Sequence, residues 1–339
     1  MNSNLAALLA SVDASPEAAH FVRCMHIPAC LNVHSPGTVT RIELAQALNM
    51  ALFVGLLQRV PTGRAYTEDV MAAGGRVVFD HGALRTVLGP HTGALPAGQA
   101  AFTRILEPLG YRLNGTYPLE RIKMTGRSYA HADAPVEIAQ YFLSELHPER
   151  FSPAFQAAVA RVLDSAIDPL TPAAQTLLAQ LAQARHLPLA QACELLPVLV
   201  RCFERQHATP RLDDYLALLE ESAEMAWIAT EGNAFNHATD RVSDVYAVAQ
   251  AQRELGRPIK DAVEVSKSGR VKQTAFRADP VLRDFIAADG TVMQREVPGS
   301  FYEFITRDTL RDPATGEVTL DLGFDAGNAT GIFKMTAAA

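Results

Sequence analysis

A chain of 339 residues with 48% hydrophobic and 20% charged side chains has the composition of an ordinary globular protein. It can bury a sizeable core in one domain or in two intertwined lobes. Its formal net charge of −7 lacks the basic excess that a nucleic-acid backbone or an anionic membrane demands, so neither is expected as a partner. Four cysteines give no disulfide framework, and no apolar run reaches the ~18 residues of a bilayer span, so a soluble, cytoplasmic protein is expected.

Residues 1–58 read as helices around a turn-rich stretch, because LAALLASV and ELAQALNMALFVGLLQRV repeat apolar residues at i, i+3, i+4 and i+7. No cationic stretch precedes LAALLASV, and Asp13 and Glu17 follow it, which points to an amphipathic helix and not to a signal peptide. A loop with Pro61 and Gly63 and a short helix then lead to Gly74 and Gly75. RVVFDHGALR, residues 76–85, starts as an apolar, β-branched strand that ends at His81 and carries Arg85 four residues later. Four residues are two strand repeats or slightly more than one helical turn, so His81 and Arg85 share a face in either backbone.

GQAAFTRILEPLG, residues 98–110, has helical spacing and a glycine stop, and YRLNGTYPLERIKMTGRSYAH reads as two or three short strands interrupted by Asn114 and Gly115. From Glu137 to about Ala229 the pattern predicts helix almost throughout, broken at Pro148, Pro153, Pro169, Pro188 and Pro210. Asn236 to Gly256 repeats the earlier order of a histidine-bearing extended segment and then a helix, with Ser243 as the expected N-cap. AVEVSKSGRVKQTAFRA predicts a hairpin turning at Ser268 and Gly269, and DGTVMQREVPGSFYEFITR one turning at Pro298 and Gly299. The expectation is a single α+β domain with a weak internal duplication. N-terminal helices and a first β module occupy 1–136, a helical insertion 137–229 and a second β module 230–339.

Alternation in FYEFITR puts Phe301, Glu303 and Ile305 on one face and Tyr302, Phe304 and Thr306 on the other, so Glu303 sits among apolar neighbours. A carboxylate there needs a cation or metal; the plain alternative is an ion pair with Arg307 on a sheet surface. His237 stands where a loop enters a strand, and a lone histidine of this kind is more often structural than a ligand. Taken together, His81, His237 and Glu303 offer two imidazoles and one carboxylate from core strands, the donor set of a non-haem Fe(II) facial triad.

HGALR, NHATDRV and YEFITR, in this order, resemble the metal-binding motifs of the 2-oxoadipate dioxygenase/decarboxylase family of the glyoxalase-like, vicinal-oxygen-chelate superfamily. The likeness runs from roughly residue 40 to 335 and includes QTAFRAD and GFDAGN. It implies a glyoxalase-like mixed sheet, Fe(II) held by His81, His237 and Glu303, and Arg85 paired with the far carboxylate of a 2-oxo acid. The implied reaction takes 2-oxoadipate and O₂ to 2-hydroxyglutarate and CO₂, both oxygen atoms entering one substrate. Gln273 is a further polar candidate on a core strand, equally suited to a cross-strand hydrogen bond. The loop Gly323 to Gly331 could offer backbone N–H groups to a carboxylate, but a turn is the favoured reading.

The same ligands would also serve a Zn²⁺ or Ni²⁺ lyase or isomerase, and a binding protein without catalysis could keep the cup. His131, Ala132 and Asp133 form an H-x-D that His186 or His207 could complete, though the interval lacks the strands such a site needs. Cys24, His26, Cys30 and His34 match no usual zinc spacing, and Cys193 and Cys202 are expected to pack. No dinucleotide, P-loop or nucleophile-elbow motif stands in a convincing context. The oligomeric state has no signature in the sequence.

Overall fold

The computed structural model describes residues 1–32, 35–311, 316–325 and 327. Among these, eight strands form one curled mixed sheet. They are β1 (Phe79–Val87), β2 (Tyr111–Leu119), β3 (Met124–His131), β4 (Gln140–Leu146), β5 (His237–Arg241), β6 (Glu264–Val265), β7 (Val271–Ala275) and β8 (Phe301–Arg307), in the spatial order β2-β3-β4-β1-β5-β8-β7-β6. The two halves mirror each other. In the first, β1 is followed by the helix Ala100–Leu106 and then by β2, β3 and β4; in the second, β5 is followed by the helix Val245–Glu254 and then by β6, β7 and β8. In each half the last strand returns parallel beside the first, β4 on β1 and β8 on β5, and the halves join through antiparallel β1 and β5. The expected duplication is therefore a pair of β-α-β-β-β modules.

Alternation along the strands divides the sheet into two unlike faces. Leu84, Tyr141, Leu143, Ala238, Tyr302 and Phe304 face the helices and form one core with Leu44, Leu48, Phe53 and Leu56 of the helix Arg41–Leu57. That helix begins with a reciprocal capping box between Thr40 and Glu43. It is apolar on nearly every side because the helices Ser3–Val12 and Leu189–Arg201 cover what the sheet does not. Ser15, Ser152 and Thr171 cap the helices Pro16–Val22, Pro153–Leu163 and Pro172–Ala184, each with proline in the first turn, so these prolines start helices as well as end them. No helix among the described residues is long and apolar enough to cross a membrane.

Six local expectations need correction. The strand expected to end at His81 starts at Phe79 and runs on to Val87, carrying Arg85 within it. Pro61 and Gly63, expected in a loop, lie in the helix Pro61–Ala72, with Pro61 in its first turn. Gln140–Leu146 lies inside the stretch expected to be helical, yet it is β4, buried along its whole length between β1 and β3; a short apolar run has no periodicity that separates buried strand from buried helix. The first module thus continues past residue 137. The turn at Pro298 and Gly299 does not fold Val292–Pro298 onto β8. That segment pairs with Pro280–Ile286 as a separate hairpin, while β8 pairs with β5 and β7. Asn114 and Gly115 do not end a strand: β2 runs through them as an irregularity in its pairing with β3. Asp244, not Ser243, caps the helix Val245–Glu254, its carboxylate accepting from the N–H groups of Tyr246 and Ala247. The hairpin of β6 and β7 around Gly269 is as expected, with Gly269 at φ 75°.

Gly82 lies opposite Ala238 where the modules join, and a Cβ there would sit 2.2 Å from the Phe235 ring. Replacing Gly82 by Ala is expected to cost about 1–3 kcal/mol through overpacking. Urea denaturation should show a lowered midpoint with an unchanged slope, and a midpoint equal to the wild type would disprove the close approach.

Candidate metal and substrate site

β1, β5, β8 and β7 present their concave face to a small cavity lined by His81, Ala83, His237, Glu303 and Gln273, together with Phe142 and Ser144 of β4, Asn236, Phe324 and Asp325. The register builds the centre. His81 is opposite Thr239, Ala83 opposite His237, and Thr239 beside Glu303, so the three side chains point from neighbouring strands to one spot. His81 Nε2 lies 3.3 Å and His237 Nε2 3.4 Å from Glu303 Oε2. One donor atom from each residue falls within 4.8 Å of the other two, and this is the one such group found among the described residues. Two imidazole nitrogens and a carboxylate oxygen at this separation suit a divalent first-row ion.

The surrounding contacts orient the donors. β1 bulges at Asp80, which sends its carboxylate to His81 Nδ1 at 2.8 Å, so the ring donates through Nδ1 and turns the Nε2 lone pair inward. Arg307 donates to Asp80 from Nε and Nη2 at 2.9–3.1 Å, and from Nη1 to the carbonyls of Asp321 and Gly323. Glu303 accepts from Gln273 Nε2 at 3.0 Å on one oxygen and from Thr239 Oγ1 at 2.5 Å on the other. Arg307 therefore pairs with Asp80, not with Glu303 as the surface alternative required.

Electrostatics follow from this packing. Burial would raise the Glu303 pKa, but the charges and hydrogen bonds of His237 and His81 outweigh it and hold the carboxyl well below its ordinary range. Burial lowers the His237 pKa, against the pull of Glu303 and with help from His81 and Arg85. Burial acts on His81 in the same sense, but the bonds to Asp80 and Glu303 reverse it and raise the pKa. Arg85 is on the same face as His81, as expected, two strand repeats or about 13 Å along β1, and pairs in register with Ser144. It is fully buried with its guanidinium 4.9 Å from the Trp227 ring centre, and burial brings its pKa down to about 10, so it stays cationic at neutral pH.

Other residues reach the site without a signal in the sequence. Asn236, directly before His237, has a buried Oδ1 with no hydrogen-bond partner among the described residues. Phe324 sits edge-on to His81 at 4.8 Å and under the Arg307 guanidinium. Phe142 occupies, in the first module, the place that Glu303 takes in the second, since Ala83 pairs with Phe142 as Thr239 pairs with Glu303. Duplication could have marked that position, but a phenylalanine carries no metal-ligand signal. In the expected loop, the N–H groups of Gly323 and Gly327 bond to Asp321 and Asp325, as a turn would have it; Gly331 lies outside the described residues.

The rival clusters do not assemble among the described residues. His131 donates through Nε2 to the Leu109 carbonyl and accepts through Nδ1 from the Asp133 N–H, while Asp133 pairs with Arg41 and Arg185. His207 donates to the Ala229 carbonyl and His186 is exposed. Cys24 and Cys30 join no metal group, burial pushing their thiols up to about 12 and about 11, and His34 is outside the described residues. Cys202 packs in the main core and Cys193 against it.

A family model described as 2-oxoadipate dioxygenase/decarboxylase matches residues 55–321. The chain belongs to that family. Among solved structures, a protein of Ralstonia eutropha JMP134 assigned to the glyoxalase superfamily is 63% identical, covering 96% of this chain and 100% of its own, with a TM-score of 0.90. The hydroxyglutarate synthase of Oryza sativa, solved with 2-oxoadipate, is 21% identical over 90% of this chain and 97% of its own, TM-score 0.66. That of Pseudomonas putida, also with 2-oxoadipate, is 19% identical over 89% and 74%, TM-score 0.62. At these identities the two synthases share the fold with this family member. No curated protein matches the chain.

His131 and His207 have their pKa values lowered to about 4, chiefly by burial. Against an unfolded value near 6.5, each contributes stability that is complete above about pH 6.5 and lost as the pH falls toward 4, about 2 kcal/mol apiece by pH 5. Burial raises the Asp240 pKa to about 7, which acts in the opposite sense over the same interval, so urea unfolding at pH 7 and pH 5 is compared between wild type and variant. His207→Gln, which can still donate to Ala229, should lose about 2 kcal/mol less stability than the wild type between pH 7 and pH 5; an unaltered pH dependence would contradict this origin.

Proposed function

We propose that the protein is an Fe(II)-dependent dioxygenase that decarboxylates a 2-oxo dicarboxylic acid, converting 2-oxoadipate and O₂ to 2-hydroxyglutarate and CO₂. The observation that carries this reading is the convergence of His81, His237 and Glu303 in one buried cup, with Arg85 farther along the same face. Family membership supports the choice of chemistry, and the 2-oxoadipate bound to the two synthases supports the substrate class.

His81, His237 and Glu303 would hold the ion, and when bound it would supply Lewis acidity toward the 2-oxo acid and redox capacity toward O₂. The remaining work falls to the chain. Asp80 keeps His81 in the Nδ1–H tautomer, and Arg307 keeps Asp80 anionic, its pKa far below the ordinary range. Gln273 and Thr239 fix both oxygens of Glu303. Arg85 takes the distal carboxylate with the planar fork suited to it. Asn236 and Ser144 offer hydrogen bonds to the substrate's polar end, and Ala83, Phe142 and Phe324 exclude water from the reacting carbons.

A zinc or nickel lyase or isomerase is the second reading, favoured by the 63% identical glyoxalase-superfamily relative and served by the same donors. Oxygen uptake with CO₂ release from 2-oxoadipate under added Fe(II) is the expected result. Turnover of 2-oxoadipate without oxygen consumption would establish the lyase, and no turnover at all would remove the proposal.

Elemental analysis after Fe(II) reconstitution should find about one equivalent in the wild type and none in His81→Ala, His237→Ala or Glu303→Ala; iron retained in any of them removes that residue from the ligand set. Arg85→Ala should keep its iron while kcat/KM for 2-oxoadipate falls by on the order of 10²-fold or more. Unchanged kcat/KM would make Arg85 a packing residue over Trp227.

A further inference from the structure

On the helical side of the sheet, apart from the metal cup, a second cavity of about 450 Å³ lies between the helices Arg41–Leu57 and Leu189–Arg201 and the segment 230–235. Its volume is that of a small-molecule site. Leu52, Val200, Phe203 and Phe235 give it an apolar wall, and Arg59, Arg205 and Arg283 stand at it with Glu204 and Glu231.

These charges do not cancel. Glu231 is engaged by Arg283 in a two-pronged pair at 2.7 Å on each side, and Glu204 is exposed. Among the described residues Arg59 donates to neutral groups, the Gly55 carbonyl at 3.1 Å and the Ser300 hydroxyl at 3.2 Å, and Arg205 to the Thr230 carbonyl at 3.4 Å. Neither has a carboxylate within ion-pair distance among the described residues. A largely buried guanidinium hydrogen-bonded to neutral groups is incompletely compensated: burial depresses the Arg59 pKa, with Arg283 adding to the fall and the more distant charges of Glu231 and Glu204 opposing it.

Gly55 is an independent sign. It lies in the last turn of Arg41–Leu57 and lines the cavity, its φ is not positive, and a Cβ there would meet nothing within 4 Å. Neither backbone conformation nor close packing calls for glycine, the poorest helix former after proline. What its missing side chain leaves is open space.

We propose that this cavity is a second ligand site for a small organic anion. Its carboxylate is held by Arg59 and Arg205, and its apolar body lies against Leu52, Val200, Phe203 and Phe235. Binding here is separate from the metal cup and does not depend on the reaction proposed for it.

Isothermal titration of the full chain with 4-phenylbutyrate tests the assignment, with the uncharged 4-phenylbutyramide as control. The carboxylate is expected to bind and the amide to bind at least ~10-fold more weakly. Affinity should fall ~10-fold or more in Arg59→Gln and Arg205→Gln, and binding should vanish in Gly55→Leu, which fills the cavity from a position with room for it. Circular dichroism and thermal melting report whether each variant is folded, and Gly55→Leu decides the matter if an arginine variant is not. No binding to the wild type, equal binding of the amide, or unchanged affinity in folded Gly55→Leu would overturn the proposal.

Discussion

The antiparallel register between β1 and β5 is the constraint on which the site depends. It pairs Ala83 with His237 and His81 with Thr239, so both imidazoles emerge on the same face of adjacent strands. Side chains alternate with a period of two, and a slip of one residue would turn His237 toward the helical core. Parallel pairing of β5 with β8 then brings Glu303 beside Thr239. Backbone hydrogen bonding places the donors before any side chain adjusts. Gly82 and Phe235 help hold the register, because the ring occupies the space a side chain at 82 would need.

Around this register runs a continuous line of buried polar contacts, from the Asp321 and Gly323 carbonyls through Arg307 and Asp80 to His81, Glu303 and Gln273. Burying any one of these charges alone would be strongly unfavourable, yet each meets an opposite charge or a hydrogen bond. The line also ties the segment at Phe324 to the site, since Arg307 holds the segment's carbonyls and lies over its ring. His131 and His207 are buried too, but their ring nitrogens engage the chain's own backbone. Burial alone does not make a histidine a candidate ligand; a ring nitrogen facing the cavity does.

Duplication accounts for the asymmetry of the cup. The two modules contribute equivalent strands and equivalent histidines, but Glu303 in the second is matched by Phe142 in the first. One half of the cavity is therefore rich in donors, and the other is an apolar wall with Phe324 across it. Such a division gives the cavity a polar side able to take ligands and an apolar side that sheds water.

The sequence by itself determined which faces residues share. Alternation in FYEFITR put Glu303 opposite Tyr302 and Phe304, and the spacing from His81 to Arg85 put both on one side of β1; these are local properties of a strand, carried by a few residues. The quoted motifs carried the family resemblance. What the tertiary structure decided is which strands lie side by side. Gln140–Leu146 read as helix because a short run buried on both faces has no period, and only its place between β1 and β3 makes it a strand and brings Phe142 and Ser144 to the cavity. Val292–Pro298 has the same alternation whichever partner it takes, and the hairpin with Pro280–Ile286 was settled by packing of Phe285 and Val297 against the core around Trp227. Asp80, Asn236 and Arg307 are ordinary polar residues in the sequence. They belong to the site because pairing between segments far apart in the chain brings them together, and hydrogen-bond partners across such distances leave no mark on local periodicity.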